Sequence, residues 1–205
     1  MAESPDEHLA LSAADRTAYR RVHADATALI SSWEPPNPGQ AALRADYLAH
    51  LARHPWAVAK AGPPEHLTAS VLVLDESWER VLLTHHRKAS VWLQFGGHVE
   101  PGDESLYAAA VREVAEESGL DGVWVNPAVA QLDRHRLVGA FGRCREHLDV
   151  RFAGVAPAGA APRVSDESHD VRWWPLTDLP EQTRDEVSAL AAACRRVLGQ
   201  ATSWR

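Results

Sequence analysis

Four residues between positions 112 and 117 hold the clearest chemical signal in the chain: Arg112, Glu113, Glu116 and Glu117. On a helix, at about 100° per residue, the three glutamates fall on one face within one turn. Carboxylates at that spacing repel by a few tenths of a kcal/mol per pair, and one arginine relieves only part of it. A divalent cation reverses the sign of the interaction. Hard oxygen ligands on a rigid scaffold suit Mg²⁺ or Mn²⁺, and Mg²⁺ commonly completes its shell with water and substrate phosphates. Alone, such a run is more often a solvated helix face, so the neighbours decide.

Those neighbours are specific. Gly96-Gly97 follows the apolar stretch Val91 to Phe95, which allows close backbone approach to a helix. Pro101-Gly102 makes a turn, Asp103 or Ser105 can cap the next helix, and Glu104 complements its positive end. Leu106, Ala110 and Val114 form a stripe suited to packing on a sheet, and Gly119 ends the helix. Residues 97–120 resemble the Nudix box, Gly-x5-Glu-x7-Arg-Glu-U-x-Glu-Glu-x-Gly-U with U apolar. Residues 112–120 fit every fixed position of its second half, and Glu104 stands at the right distance before Arg112. The departure lies upstream: six residues, not five, separate Gly97 from Glu104, and counted from Gly97 it is Asp103 that takes the Glu position. Leu67 to Arg87 and Glu167 to Leu176 are also similar to Nudix domains, so the resemblance covers about 65–200. The helices before it resemble an extension found in some bacterial Nudix proteins.

The resemblance implies an α/β protein with the Nudix fold, an α/β/α sandwich with a mixed central sheet, plus an N-terminal helical extension. The extension would be 1–64 and the hydrolase domain 65–205. The implied activity is hydrolysis of a diphosphate linkage in a nucleoside diphosphate joined to another group, X, with Mg²⁺ (Mn²⁺ as the substitute) as cofactor. Glu113, Glu116 and Glu117 would hold the metal, with the Gly97 carbonyl as a further ligand. Arg112 would orient a carboxylate. The general base can come from a later loop, where Glu167 is the candidate, or from the helix as Glu116 or Glu117. Arg87, at the basic end of a strand, Gln94 and His98 are the candidate substrate contacts. Two alternatives share the fold: a nucleotide-binding or regulatory module that does not hydrolyse, and a prenyl diphosphate isomerase. The intact carboxylates disfavour the first. The second needs a Cys and Glu pair in the pocket, and neither Cys144 nor Cys194 looks placed for it.

The elements that must position these residues follow from periodicity. Tyr19, Val22, Ala26, Leu29, Ile30 and Trp33 predict an amphipathic helix over 13–32, opened by a capping box from Ser12 and Asp15. A second helix is expected at 40–53. Strands are expected at 67–74, 81–84, 91–95, 123–134, 146–154 and 171–174, a helix at 105–118 and a last one at 181–198. Ala156 to Ser165, rich in Ala, Pro and Gly, reads as loop. Trp173 and Trp174 alternate on a strand, so one is expected to line a pocket or interface. The N-terminal helices can cover a sheet edge, close the pocket or pair two copies, and a symmetric homodimer is the commonest association.

Composition narrows the class. The chain has 205 residues, 45% hydrophobic and 24% charged, which is ordinary for a folded globular protein. A net charge of -7 disfavours wrapping a nucleic-acid polymer but allows a small anion where a local site or a metal supplies positive charge; the resemblance implies a small-molecule nucleotide or other diphosphate substrate as the partner. The acidic, polar stretch 1–10 reads as frayed and is unlike a signal peptide. No apolar run approaches the roughly 18 residues of a membrane span. A cytoplasmic location with two reduced thiols is therefore expected. Eleven histidines include His135 near Asp133 and His147 near Asp149, but no pair has a familiar metal-ligand spacing, so a histidine zinc site is not expected.

Overall fold

The computed structural model describes residues 11–137, 142–181, 183 and 186–201; the stretch 1–10, read as frayed, lies outside them. Helix α1 (Ala13–Ser32) opens with the expected capping box. Ser12 accepts from the Asp15 N–H, and the shorter Asp15 side chain still reaches back to the Ser12 N–H. Such a cap contributes about 1 kcal/mol. Helix α2 (Pro38–Arg53) starts two residues earlier than the periodicity indicates. Asn37 caps it, and Pro38 sits where a missing N–H is harmless.

Strands β1 (Glu65–Leu74) and β2 (Arg80–His86) follow. The single strand expected at 91–95 is two, β3 (Trp92–Leu93) and β4 (Phe95–His98), and the glycine pair lies inside β4. Helix α3 (Leu106–Ser118) carries the acidic face and ends at Gly119, whose φ of 61° needs no Cβ. The strand expected at 123–134 also divides, into β5 (Trp124–Val125) and β6 (Gln131–Arg136). Pro127 has no N–H to extend a ladder, and the Asn126 side chain turns the chain by accepting from the Ala128 N–H. Strands β7 (Glu146–Val155) and β8 (Ser168–Pro175) and helix α4 (Glu186–Gln200) complete the order.

The eight strands form one mixed sheet. Its main path runs β3-β2-β1-β7-β5, with β4 beside β1, β6 beside β7 and β8 beside β2. Only β1 and β7 run parallel among these pairs, in register from Glu65 opposite Glu146 to Leu74 opposite Val155. Strand alternation then assigns the two faces. Leu67, Ala69 and Val71 with Leu148, Val150 and Phe152 join the core that includes Leu106, Ala110 and Val114 of α3. The opposite face is divided along its length. Leu72, Leu74, Ala153 and Val155 lie under α4 with Val187, Leu190 and Cys194. The earlier halves of the same strands present His66, Thr68 and Ser70 beside His147, Asp149 and Arg151. Helices thus cover both faces of the sheet, but α4 leaves a polar half open to form a site.

The N-terminal helices share the core of α3 through Tyr19, Val22, Ala26, Ile30, Tyr47 and Leu51. Tyr47 donates to the carbonyls of Asp133 and Asp149, and Gln40 exchanges two hydrogen bonds with the backbone of Leu132. Trp173 and Trp174 are both partly buried, one packed against each core, and Trp173 also lines a surface cleft with Asp75, Arg80 and Pro157, as expected of one of the pair. No helix among the described residues is long and apolar enough to cross a membrane.

Candidate active site

The glycine strand and the acidic helix meet with no spare room. A Cβ on Gly97 would lie 2.6 Å from Oε1 of Glu113, so only glycine lets the helix carboxylates reach the strand. The neighbouring Gly96 N–H donates to Oε2 of Glu117 at 2.9 Å. Ser105 is the helix cap, accepting from Ala108, which resolves the choice between Asp103 and Ser105. Asp103 instead is buried and pairs with Arg112 through both carboxylate oxygens, each at 3.0 Å. Glu104 is exposed. Asp103 therefore holds the arginine in this loop, and the additional residue is absorbed beyond it.

Arg112 uses its whole fork. Besides Asp103 it donates to Glu113, to Glu116 and to the His98 carbonyl. It ties the helix carboxylates to the loop and the strand, which is the orienting role expected of it. Three more contacts come from outside the box: Arg21 donates to the Asp103 carbonyl, Asp25 accepts from the Leu106 N–H, and Tyr19 reaches the Val99 carbonyl. Helix α1 thus braces the loop and the start of α3. This bracing contact is not among the three roles expected for it from sequence.

One cleft collects Glu113, Glu116, Glu117, Gly97, His98 and Glu167. Glu167, predicted as a loop acid, stands at the entry to β8, where the Arg87 N–H bonds its carbonyl. Burial pushes Glu117 up to about 8; the Gly96 N–H opposes this, and Glu113, Glu167 and Glu116 reinforce it. Glu113 is also raised, chiefly by burial, with Arg112 opposing. Glu116 is exposed. An all-oxygen donor set with a carboxylate too costly to ionise alone fits a hard divalent cation, which would favour the charged forms.

Beneath this cleft a cavity of about 130 Å³ opens on the polar half of the sheet, lined by Thr68, Ser70, Gln94, Gly96, His147 and Asp149 among others. Asp149 accepts from Thr68, Ser70, Gln94 and Arg151, and the fully buried Arg151 also reaches Gln131 and Asp133. Sequence reading singled out Gln94 but not Thr68, Ser70 or Arg151; the alternation of polar residues along β1 and β7 was the available signal. Arg87 is exposed, and its guanidinium bonds the Ser168 carbonyl, so it fastens the segment bearing Glu167. His98 lines the outer cleft, and its Nε2 stands 3.8 Å from the Cys144 Sγ.

The fold brings together histidines that are far apart in sequence. His66, His98, Cys144 and His147 converge, with one ligand atom of each within 4.8 Å of the others. Strand pairing, not sequence spacing, makes them neighbours: His66 lies opposite His147, and Thr68 opposite His98. Burial lowers His98 to about 3 and His147 to about 4, with neighbouring histidines adding to both and Asp149 opposing for His147; burial also lowers His66, against the Pro63 hydrogen bond. Both cysteines are free thiols.

Fold and site together define an α/β/α domain with a carboxylate cleft beside a glycine strand. A sequence model of the NUDIX domain matches residues 64–195, and the chain belongs to the Nudix family. The mRNA-decapping enzyme subunit 2 of Arabidopsis thaliana is 30% identical over 118 residues, which are 57% of this chain and 30% of that protein. The chain thus spans under a third of that relative's length. The NUDIX domain of Shewanella oneidensis NrtR, solved with ADP ribose, superposes with a TM-score of 0.53 at 21% identity, over 75% of this chain and 97% of that one. An Ap4A hydrolase from C. elegans gives 0.53 at 16% identity, over 66% and 98%. A NUDIX family hydrolase from Clostridium perfringens gives 0.50 at 24% identity, over 65% and 97%. At these identities the structural likeness is one of fold.

Proposed function

We propose that the protein hydrolyses a diphosphate linkage in a nucleoside diphosphate joined to a second group, X, using Mg²⁺ or Mn²⁺. The observation that carries this reading is the convergence of Glu113, Glu116, Glu117, Gly97 and Glu167 on one cleft. The helix carboxylates and the Gly97 carbonyl would hold the metal. Such an ion neutralises phosphate charge and lowers the pKa of a bound water. Arg112 keeps the carboxylates aimed, and Gly97 lets Glu113 reach the strand. Glu167, or Glu116 on the helix, takes the proton of the attacking water. The cavity lined by Gln94 and Asp149 receives the base or sugar, while the phosphates stay in the outer cleft.

The test is hydrolysis of a panel with and without Mg²⁺ and Mn²⁺, comparing wild type with Glu116→Gln, Glu117→Gln and Glu167→Gln. ADP-ribose, Ap4A, nucleoside triphosphates and an mRNA cap analogue form the panel. Metal-dependent cleavage of one member, lost in Glu117→Gln, is the expected result and identifies X. Tight binding of a member with cleavage of none would favour a binding module instead.

A further inference from the structure

We propose that His66, His98, Cys144 and His147 form a second metal site, distinct in chemistry from the carboxylate cleft and selective for a soft or borderline divalent ion such as Zn²⁺. Three imidazoles and one thiol are the ligand types that Zn²⁺ prefers and Mg²⁺ does not. Their ligand atoms already lie within 4.8 Å of one another. The Cys144 Sγ to His98 Nε2 separation of 3.8 Å is close to the edge of about 3.5 Å that ordinary Zn–N and Zn–S bonds at a tetrahedral angle require.

Two independent features show that the cluster is arranged for a ligand. The fully buried His66 bonds the Pro63 carbonyl through Nδ1, at 3.0 Å, so Nδ1 carries the proton and Nε2 presents a lone pair. That Nε2 has no partner, and neither does Nε2 of His147. A histidine held by a backbone carbonyl through one nitrogen, with the other bare and buried, is the usual posture of a metal ligand. Aromatic packing does not account for it: the ring centroids of His66, His98 and His147 stand 5.0 to 5.3 Å apart, and stacking leaves the nitrogens unsatisfied.

The backbone explains how the fourth ligand arrives. The Pro64 carbonyl accepts from the Arg145 N–H at 2.9 Å, which clasps the segment bearing Cys144 against the start of β1. His66, His147 and His98 are fixed by the β1, β7 and β4 ladders. The ion would thus join three strands and a loop directly beside Gly97. Four protein ligands leave no open position, so its role is structural. Cys144 binds as thiolate, and one proton passes to solvent for each ion bound.

The test uses the full chain, stripped with a chelator and titrated first with Co²⁺ and then with Zn²⁺. With excess Mg²⁺ present to fill the carboxylate cleft, one tetrahedral Co²⁺ per chain is expected, with d–d bands and a thiolate-to-cobalt charge-transfer band that Zn²⁺ displaces and Mg²⁺ does not. Cys144→Ser should abolish the charge-transfer band. His66→Gln should weaken Zn²⁺ by more than about 100-fold, beyond the loss from disturbing an outer partner. Glu116→Gln and Glu117→Gln should leave the band unchanged. Should His66→Gln not fold, the wild-type and Cys144→Ser titrations still decide. Absence of the band in wild type, its survival in Cys144→Ser, or its loss in Glu117→Gln would each overturn the proposal.

Discussion

Glu117 makes a quantitative prediction because its carboxyl is only 6% exposed and is pushed from 4.5 to about 8 in the metal-free fold. The folded protein therefore binds a proton at this site more tightly than the unfolded chain does. Between those two values, stability must fall as pH rises. Each unit of difference is about 1.4 kcal/mol, so metal-free wild type should lose about 2 kcal/mol from this group alone between roughly pH 6 and pH 8. In a chain of this size that is a fall of roughly 4–8 °C in Tm. Glu117→Gln keeps an oxygen for the Gly96 N–H but cannot ionise. Its Tm should fall less over the same range by that amount. Glu116→Gln removes the same charge from an exposed position and should track wild type. Mg²⁺ should raise the Tm of wild type more at the alkaline end and that of Glu117→Gln little. Differential scanning fluorimetry across pH, with chelator and with Mg²⁺, measures all four curves. Parallel curves for wild type and Glu117→Gln without metal would refute the burial argument.

Two further substitutions probe the frame around the carboxylates. Gly97→Ala puts a methyl where Glu113 Oε1 lies 2.6 Å away. Displacing that carboxylate by about an ångström should lower kcat/KM by about 100-fold with the fold intact, checked by metal titration of activity beside circular dichroism. Arg112→Lys keeps the charge but loses the fork that serves Asp103, Glu113, Glu116 and the His98 carbonyl. Leaving the buried Asp103 under-bonded should destabilise the chain by about 1–3 kcal/mol in urea denaturation.

Local pattern was sufficient for most elements and for the box. Residues 105–118 read as a helix, observed over Leu106–Ser118, because apolar spacing, a nearby capping residue and a terminal glycine act within a few residues. Where the reading missed, the deciding contact was distant. Asp103 and Glu104 are equivalent candidates in sequence; Arg112, nine residues after Asp103, selects Asp103 only once the loop has closed. The strand expected at 123–134 split at a local signal, Asn126-Pro127, that the hydrophobic count overrode.

The family, the acidic helix face, the glycine approach and nearly all the helices are legible in the order of residues because they rest on interactions within a turn or two of chain. The brace of helix α1 on the box loop, the hold of Arg87 on the Glu167 segment, and the convergence of three histidines and a cysteine exist only once strands and a loop far apart in sequence have packed. The parallel pairing of β1 with β7 sets His66 opposite His147, 81 residues apart, and no local periodicity encodes a register between distant strands.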